Sequence, residues 1–260
     1  MWRDGLTVIA LESVLPNTPP DYLTFEQAQA GQAIEVHEAP MQTVPTVEAR
    51  IGPKPVLVLG GDTIVGGAQN RIINISILLK AAATTAIPVS CLELGRWNDG
   101  RHFQSGRPVD HSLRGMVSEQ VTRGARASSG ADANRFAADQ GAIWQEIGER
   151  QGRAAYHSPT QAIHDVYLRE ERSVDDFVRA FPMPAGSRGV AIGLFDRLVG
   201  LDLFDSTETL ERQWSRLVAG AASALLDRQR AADAGVRPQP RHRHVDKRAV
   251  HLALFRRATA

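Results

Sequence analysis

Within "GGAQNRIINISILLK" (66–80), three polar side chains, Gln69, Asn70 and Arg71, stand at the head of an otherwise apolar run. Arginine carries a fixed positive charge and a planar fork of donors, and amides both donate and accept. Together they suit an anionic, hydrogen-bond-rich small molecule such as a nucleotide or sugar phosphate. At a strand period of two, Arg71, Ile73, Ile75, Ile77 and Leu79 share one face, and Asn70, Ile72, Asn74, Ser76 and Leu78 the other. In "IPVSCLELGRW" (87–97) the matching face, Ile87, Val89 and Cys91, is apolar until Glu93. A hairpin about "AAATT" would place residue 75 near 91 and 73 near 93, so that Arg71 reaches Glu93 diagonally, with Asp62 as a second partner. The ligand-binding candidates are therefore Gln69, Asn70, Arg71, Asn74 and Arg96. Asp62 and Glu93 are the carboxylates placed to serve as a general base, and Gly66 and Gly67 let the backbone approach a ligand. A structural reading stands beside this one: Arg71 and Glu93 close one end of a core, because buried charges must pair.

A second constellation is "HRHVDKRAVH". His242, His244 and Asp246 alternate on one side of an extended segment with the H-x-H-x-D spacing of metallo-β-lactamase-type hydrolases, and such donors can bind zinc. That fold takes further ligands downstream, whereas only Leu252 to Ala260 follow His251, so a solvated, charge-rich loop is expected instead. Cys91 is the only cysteine, which excludes an intramolecular disulfide, and its strand setting suits a small hydrophobe. The acid pairs Glu170-Glu171 and Asp175-Asp176 lie beside arginines and read as a solvated helix end. None of the glycine-rich stretches has phosphate-loop or dinucleotide-binding spacing.

These residues need a scaffold. Extended runs are expected at 6–13, 33–39, 54–61 and 85–97, with a short helix over 22–32. From Asp99 to about residue 134 the chain becomes polar and rich in Gly and Ser, which predicts a surface excursion. Ile143, Trp144 and Ile147 stripe a helix over about 135–151. A further helix is expected to start at "SPTQ", with Ser158 as N-cap, Pro159 at the first helical position and Gln161 completing a capping box. The segment 189–204 predicts a hairpin turning near Asp196-Arg197. It leads to a long helix capped by Asp205 or Ser206, with Leu210, Trp214, Leu217, Val218, Ala221 and Leu225 on one face. A last strand is expected at 248–255. The expected architecture is α+β in a single domain over 1–260, a mostly antiparallel sheet from the N-terminal half packed by helices of the C-terminal half.

The segment "GDTIVGGAQNRIINISILLKAAATTAIPVSCLELGRW" (61–97) resembles the signature of the ARG and rhodanese-phosphatase-superfamily-associated protein domain family of prokaryotes. "YLTFEQAQAGQAIEVHE" (22–38), "DQGAIWQEI" (139–147), "SPTQAIHDVY" (158–167), "GLDLFDSTETLERQW" (200–214) and "VHLALF" (250–255) extend the similarity over nearly the whole chain. Asp62 stands where Glu is expected and Leu94 where Gln is expected, and the stretch between Ala231 and Lys247 is short for the family. The family is associated with ADP-ribosylglycohydrolases, which implies a role in NAD or ADP-ribose metabolism and a nucleotide-like ligand. It supplies no reaction and no cofactor.

The balance of charge agrees with a small-molecule role. Of 260 residues, 43% are hydrophobic and the formal net charge is +1, so neither nucleic acid nor a membrane surface is called for as a partner. No apolar segment approaches the roughly 18–20 residues of a membrane span, and "MWRDGLTVIALESVLP" lacks a signal-peptide core, so a cytoplasmic protein is expected. Three functions remain open: binding of a small anionic ligand, hydrolysis of such a ligand, and a non-catalytic interaction module whose polar cluster is structural. Oligomeric state is not legible.

Overall fold

The computed structural model describes residues 1–14, 16–39, 45–97, 100, 102–127 and 135–235. The H-x-H-x-D motif residues His242, His244 and Asp246, expected in a solvated loop, and the strand expected at 248–255 lie outside the described residues. The chain opens with strands β1 (Trp2–Arg3), β2 (Leu6–Leu11) and β3 (Leu23–Thr24). Helix α1 (Phe25–Ala30) follows, with Thr24 and Gln27 forming its capping box. Next come β4 (Ile34–Glu38), β5 (Thr46–Ile51), β6 (Val56–Val58), β7 (Thr63–Gly66), β8 (Arg71–Ile73), β9 (Ile77–Leu79), β10 (Thr84–Cys91) and β11 (His102–Ser105). Helices α2 (His111–Ala127), α3 (Gln140–Arg153) and α4 (Ile163–Ala180), the hairpin β12 (Gly189–Leu194) and β13 (Arg197–Leu203), and α5 (Thr207–Asp233) complete the described chain. The architecture is α+β, as the element pattern predicts.

The strands form three sheets rather than one. β10, β5, β4, β11, β7 and β8 close into a barrel; β1, β2, β12 and β13 form a four-stranded sheet; β3, β6 and β9 form a third. The barrel is filled by inward side chains from all six strands, including Val36, Val47, Ala49, Ile64, Ile73, Ile87, Val89 and Phe103, with Phe25 of α1 packed in the same cluster. Each Val, Ile or Phe among them contributes roughly 1.5–3 kcal/mol relative to exposure. A second cluster joins Leu6, Val8, Val190 and Ile192 of the four-stranded sheet to Phe177, Trp214, Val218 and Leu225 of α4 and α5. A third packs α2, α3 and α4 through Val117, Ile147 and Val166 against Ile72 and Leu92.

Several expectations are corrected. The run 70–79 is not one strand: it breaks between β8 and β9, and Ile77–Leu79 leave the barrel to pair with β6. β10 accordingly pairs with β5 through Thr84 to Pro88 and with β8 through Val89 to Cys91, in the register Ile73↔Val89 and Arg71↔Cys91. Four residues separate this from the expected register, an even number, so the same side chains share a face but Arg71 faces Cys91 and not Glu93. Within the segment read as a polar excursion lie β11 and α2, whose Leu113, Val117 and Val121 are buried. Asp110 Oδ1 accepts from the N–H groups of Ser112 and Leu113 and caps α2.

The start of α4 also differs. Ser158 Oγ accepts from Thr160 N and Ala162 N, so the hydroxyl closes a turn, and Gln161 takes a left-handed φ of 54° that separates this turn from the helix. α4 therefore begins at Ile163 without a side-chain cap. Glu170, expected on a solvated helix end, is buried. It pairs with Arg230, and with Arg150 at 3.5 Å, while Arg150 also meets Asp110 at 2.9 Å. The hairpin and the long helix fall where expected, and Ser206 is the cap, its Oγ accepting from Thr209 N.

Candidate functional site

The loop from β7 to β8 turns tightly over one mouth of the barrel. Gly66 and Gly67 have φ of 116° and 52°, and a Cβ on Gly67 would lie 2.1 Å from the Phe103 ring, so only glycine fits there. Asn70 closes this loop on itself, its Oδ1 accepting from Gly66 N at 3.1 Å and from Arg96 Nη2 at 3.0 Å. Arg96 reaches across from the end of β10. Its Nε donates to Glu93 Oε2 at 2.9 Å, Nη1 to the Gly67 carbonyl at 2.9 Å and Nη2 to the Gly66 carbonyl at 3.1 Å. Asn70 N adds a bond to Glu93 Oε2 at 3.2 Å, and Gln69 Nε2 reaches the Leu94 carbonyl at 3.5 Å.

Beneath this rim lies the buried pair. Arg71 is fully buried (0% exposed) and its Nη2 lies 3.3 and 3.4 Å from the two carboxylate oxygens of Glu38; its Nη1 donates to Cys91 Sγ at 2.5 Å. Glu38 Oε1 also accepts from Ala68 N at 2.9 Å, so one carboxylate ties the loop to the cation. The indole of Trp97, 53% exposed, lies over the guanidinium with its centroid 5.9 Å from Cζ.

The electrostatics follow from this packing. Burial pushes the Glu93 carboxyl up. The hydrogen bonds from Arg96, Thr160 and Asn70 and the Arg96 charge outweigh it, so Glu93 is held below the usual carboxylate range. Such a carboxylate is a weak base. Burial raises the Cys91 thiol, and the charge and hydrogen bond of Arg71 offset this only in part, so Cys91 is a thiol at neutral pH and not a ready nucleophile.

Of the seven strand-cluster residues expected to work together, the mouth gathers Gln69, Asn70, Arg71, Glu93 and Arg96. Asp62 lies at the other end of β7, accepting from Leu59 N and Arg216 Nη2 at 2.9 Å each, and so ties the barrel to α5. Beside it, Gly61, His111, Arg114 and Arg216 line a cavity of about 20 Å³, room for one water. Asn74 donates to the Phe136 carbonyl at 2.9 Å and accepts from Ser90 Oγ at 3.0 Å, away from the mouth. The expected Arg71–Glu93 pair does not form: Glu38 takes Arg71 and Arg96 takes Glu93. Glu38 and Trp97 are the members that sequence reasoning missed. Glu38 was detectable, because Ile34, Val36 and Glu38 alternate onto one face that is apolar until its charge, the pattern that singled out Arg71. Among the described residues, Glu35, His37 and His102, outside the barrel, form the one group of three able to share a metal ion.

Fold and site together define an α+β protein built on a closed six-stranded barrel, one mouth of which is plugged by an arginine–glutamate pair under an exposed indole. The chain belongs to the ARG and Rhodanese-Phosphatase-superfamily-associated Protein domain family, whose model matches residues 2–257. Comparisons with curated proteins and with solved structures return no match. No described helix is long and apolar enough to cross a membrane.

Proposed function

We propose that the chain binds a small anionic, nucleotide-like ligand at this barrel mouth and serves NAD or ADP-ribose metabolism in the cytoplasm. The observation that carries the reading is Trp97, a large indole left half in solvent directly above a buried cation. An exposed aromatic face stacks on a purine or nicotinamide ring, and the partly exposed Arg96 at the rim is placed to meet a phosphate. The metabolic setting rests on the family's association with ADP-ribosylglycohydrolases. Binding is favoured over hydrolysis because the two candidate bases do not suit the role: Glu93 is held ionised by Arg96, and Asp62 is committed to Arg216 elsewhere.

The test is a thermal-shift series with ADP-ribose, NAD, AMP and a sugar phosphate. At least one of them raises the melting temperature of the wild-type chain, as mass action requires of a native-state ligand. Trp97→Ala abolishes that shift while leaving the ligand-free melting temperature within about 2 °C, since exposed substitutions change stability little. A silent wild type, or a shift undiminished in Trp97→Ala, would refute the reading.

A further inference from the structure

We propose that Glu35, His37 and His102 form a binding site for a divalent transition-metal ion of the zinc class on the outer wall of the barrel. In β4 the apolar Ile34 and Val36 point inward, so Glu35 and His37, two apart, share the outer face. The register of β11 on β4 sets His102 directly opposite His37, which brings a second imidazole to the same patch. Glu35 Oε1 lies 3.8 Å from His37 Nδ1 and 3.5 Å from His102 Nδ1, and one donor atom from each of the three residues falls within 4.8 Å of the others. Donors bound tetrahedrally at zinc–nitrogen and zinc–oxygen lengths stand on the order of 3.4 Å apart, so small rotamer adjustments close the set around one ion.

A further feature fits a ligating role. Glu35 and His102 also line a groove of about 630 Å³ shared with Gln29, Gln32, Gln104 and Ser105. Two imidazoles and one carboxylate leave at least one coordination position open, as in catalytic rather than structural zinc sites, and here that position gives onto solvent and the groove. The ion would therefore be exchangeable and able to take a water or a small oxyanion.

The experiment is calorimetric titration of the metal-stripped full chain with Zn²⁺, paralleled by Co²⁺ titration followed in the visible. The wild type binds one equivalent at this site and gives the d–d absorption of a ligated cobalt ion. His37→Ala and His102→Ala each lower that affinity at least tenfold and remove the bands, and Glu35→Gln weakens binding. Circular dichroism confirms that the variants fold. The double variant His242→Ala/His244→Ala keeps the site. Absence of binding in the wild type, binding unchanged in both His37→Ala and His102→Ala, or loss confined to the His242/His244 variant overturns the proposal.

Discussion

At the mouth of the barrel, Glu38 holds the buried Arg71, and the energetics of the pair are asymmetric. Removing one member strands a charge in the core, and Glu38→Ala is expected to lower the unfolding free energy by about 3–5 kcal/mol. Replacing both with methionine removes the desolvation cost along with the attraction. Glu38→Met/Arg71→Met is therefore expected to recover most of that loss in a urea double-mutant cycle. That Arg71 shares a face with Cys91 follows from strand alternation alone. The pairing with Glu38 was not legible, because Glu38 sits 33 residues upstream and meets Arg71 only when non-adjacent strands close the barrel. The nearby Glu93, a diagonal neighbour in the simplest hairpin, drew the expectation instead. Trp97 was hidden for a different reason: exposure of an aromatic side chain depends on tertiary packing, which one sequence does not give.

Elements with strong local signals were legible. The helix α5 declares its start through Ser206, whose hydroxyl accepts from Thr209 N at 3.0 Å, and its buried stripe through Trp214, Val218, Ala221 and Leu225. Ser206→Ala is expected to cost about 1 kcal/mol, read as a lower urea midpoint with an unchanged slope. α2 was obscured because it contains Gly115 and Gly124 among polar residues, so composition suggested a loop. Its spacing, Leu113, Val117 and Val121, nevertheless makes one narrow apolar face, which now lies against α3 and Ile72. The break between β8 and β9 has no marker of comparable strength. Ile73, Ile75 and Ile77 continue the alternation straight through it, and only the competing pairing of Ile77 to Leu79 with β6 decides where the strand ends.

Over the whole molecule, buried charge and buried histidine set the response to acid. Arg150 joins Asp110 at the start of α2 to Glu170 of α4, and Arg153 joins Asp227 of α5 to Glu146. Burial, reinforced by the Arg114 charge, pushes His111 below its ordinary value of 6.5, against weaker upward pulls from Asp202, the Leu217 carbonyl and Asp110. Burial, with the Arg107 charge, lowers His164 from 6.5 as well. A histidine held neutral in the fold binds its proton more readily when unfolded, so stability falls as pH drops from about 6.5 toward the lowered folded-state values. Glu93 acts in the same direction at lower pH, its contribution present above the unfolded carboxylate value and lost as pH falls through its lowered one. Urea unfolding between pH 7 and 5 is expected to show this decline, with a shallower slope in His164→Gln. The α+β class was legible at this scale and the division into three sheets was not, because β2 finds its partner in β12, 183 residues later. That pairing also governs the order of assembly. While the chain is being made, Leu6 and Val8 are extruded long before Val190 and Ile192 exist to cover them. The nascent protein thus carries an apolar strand with only two-residue β1 beside it until the hairpin emerges, and at that stage chaperones have the most to protect.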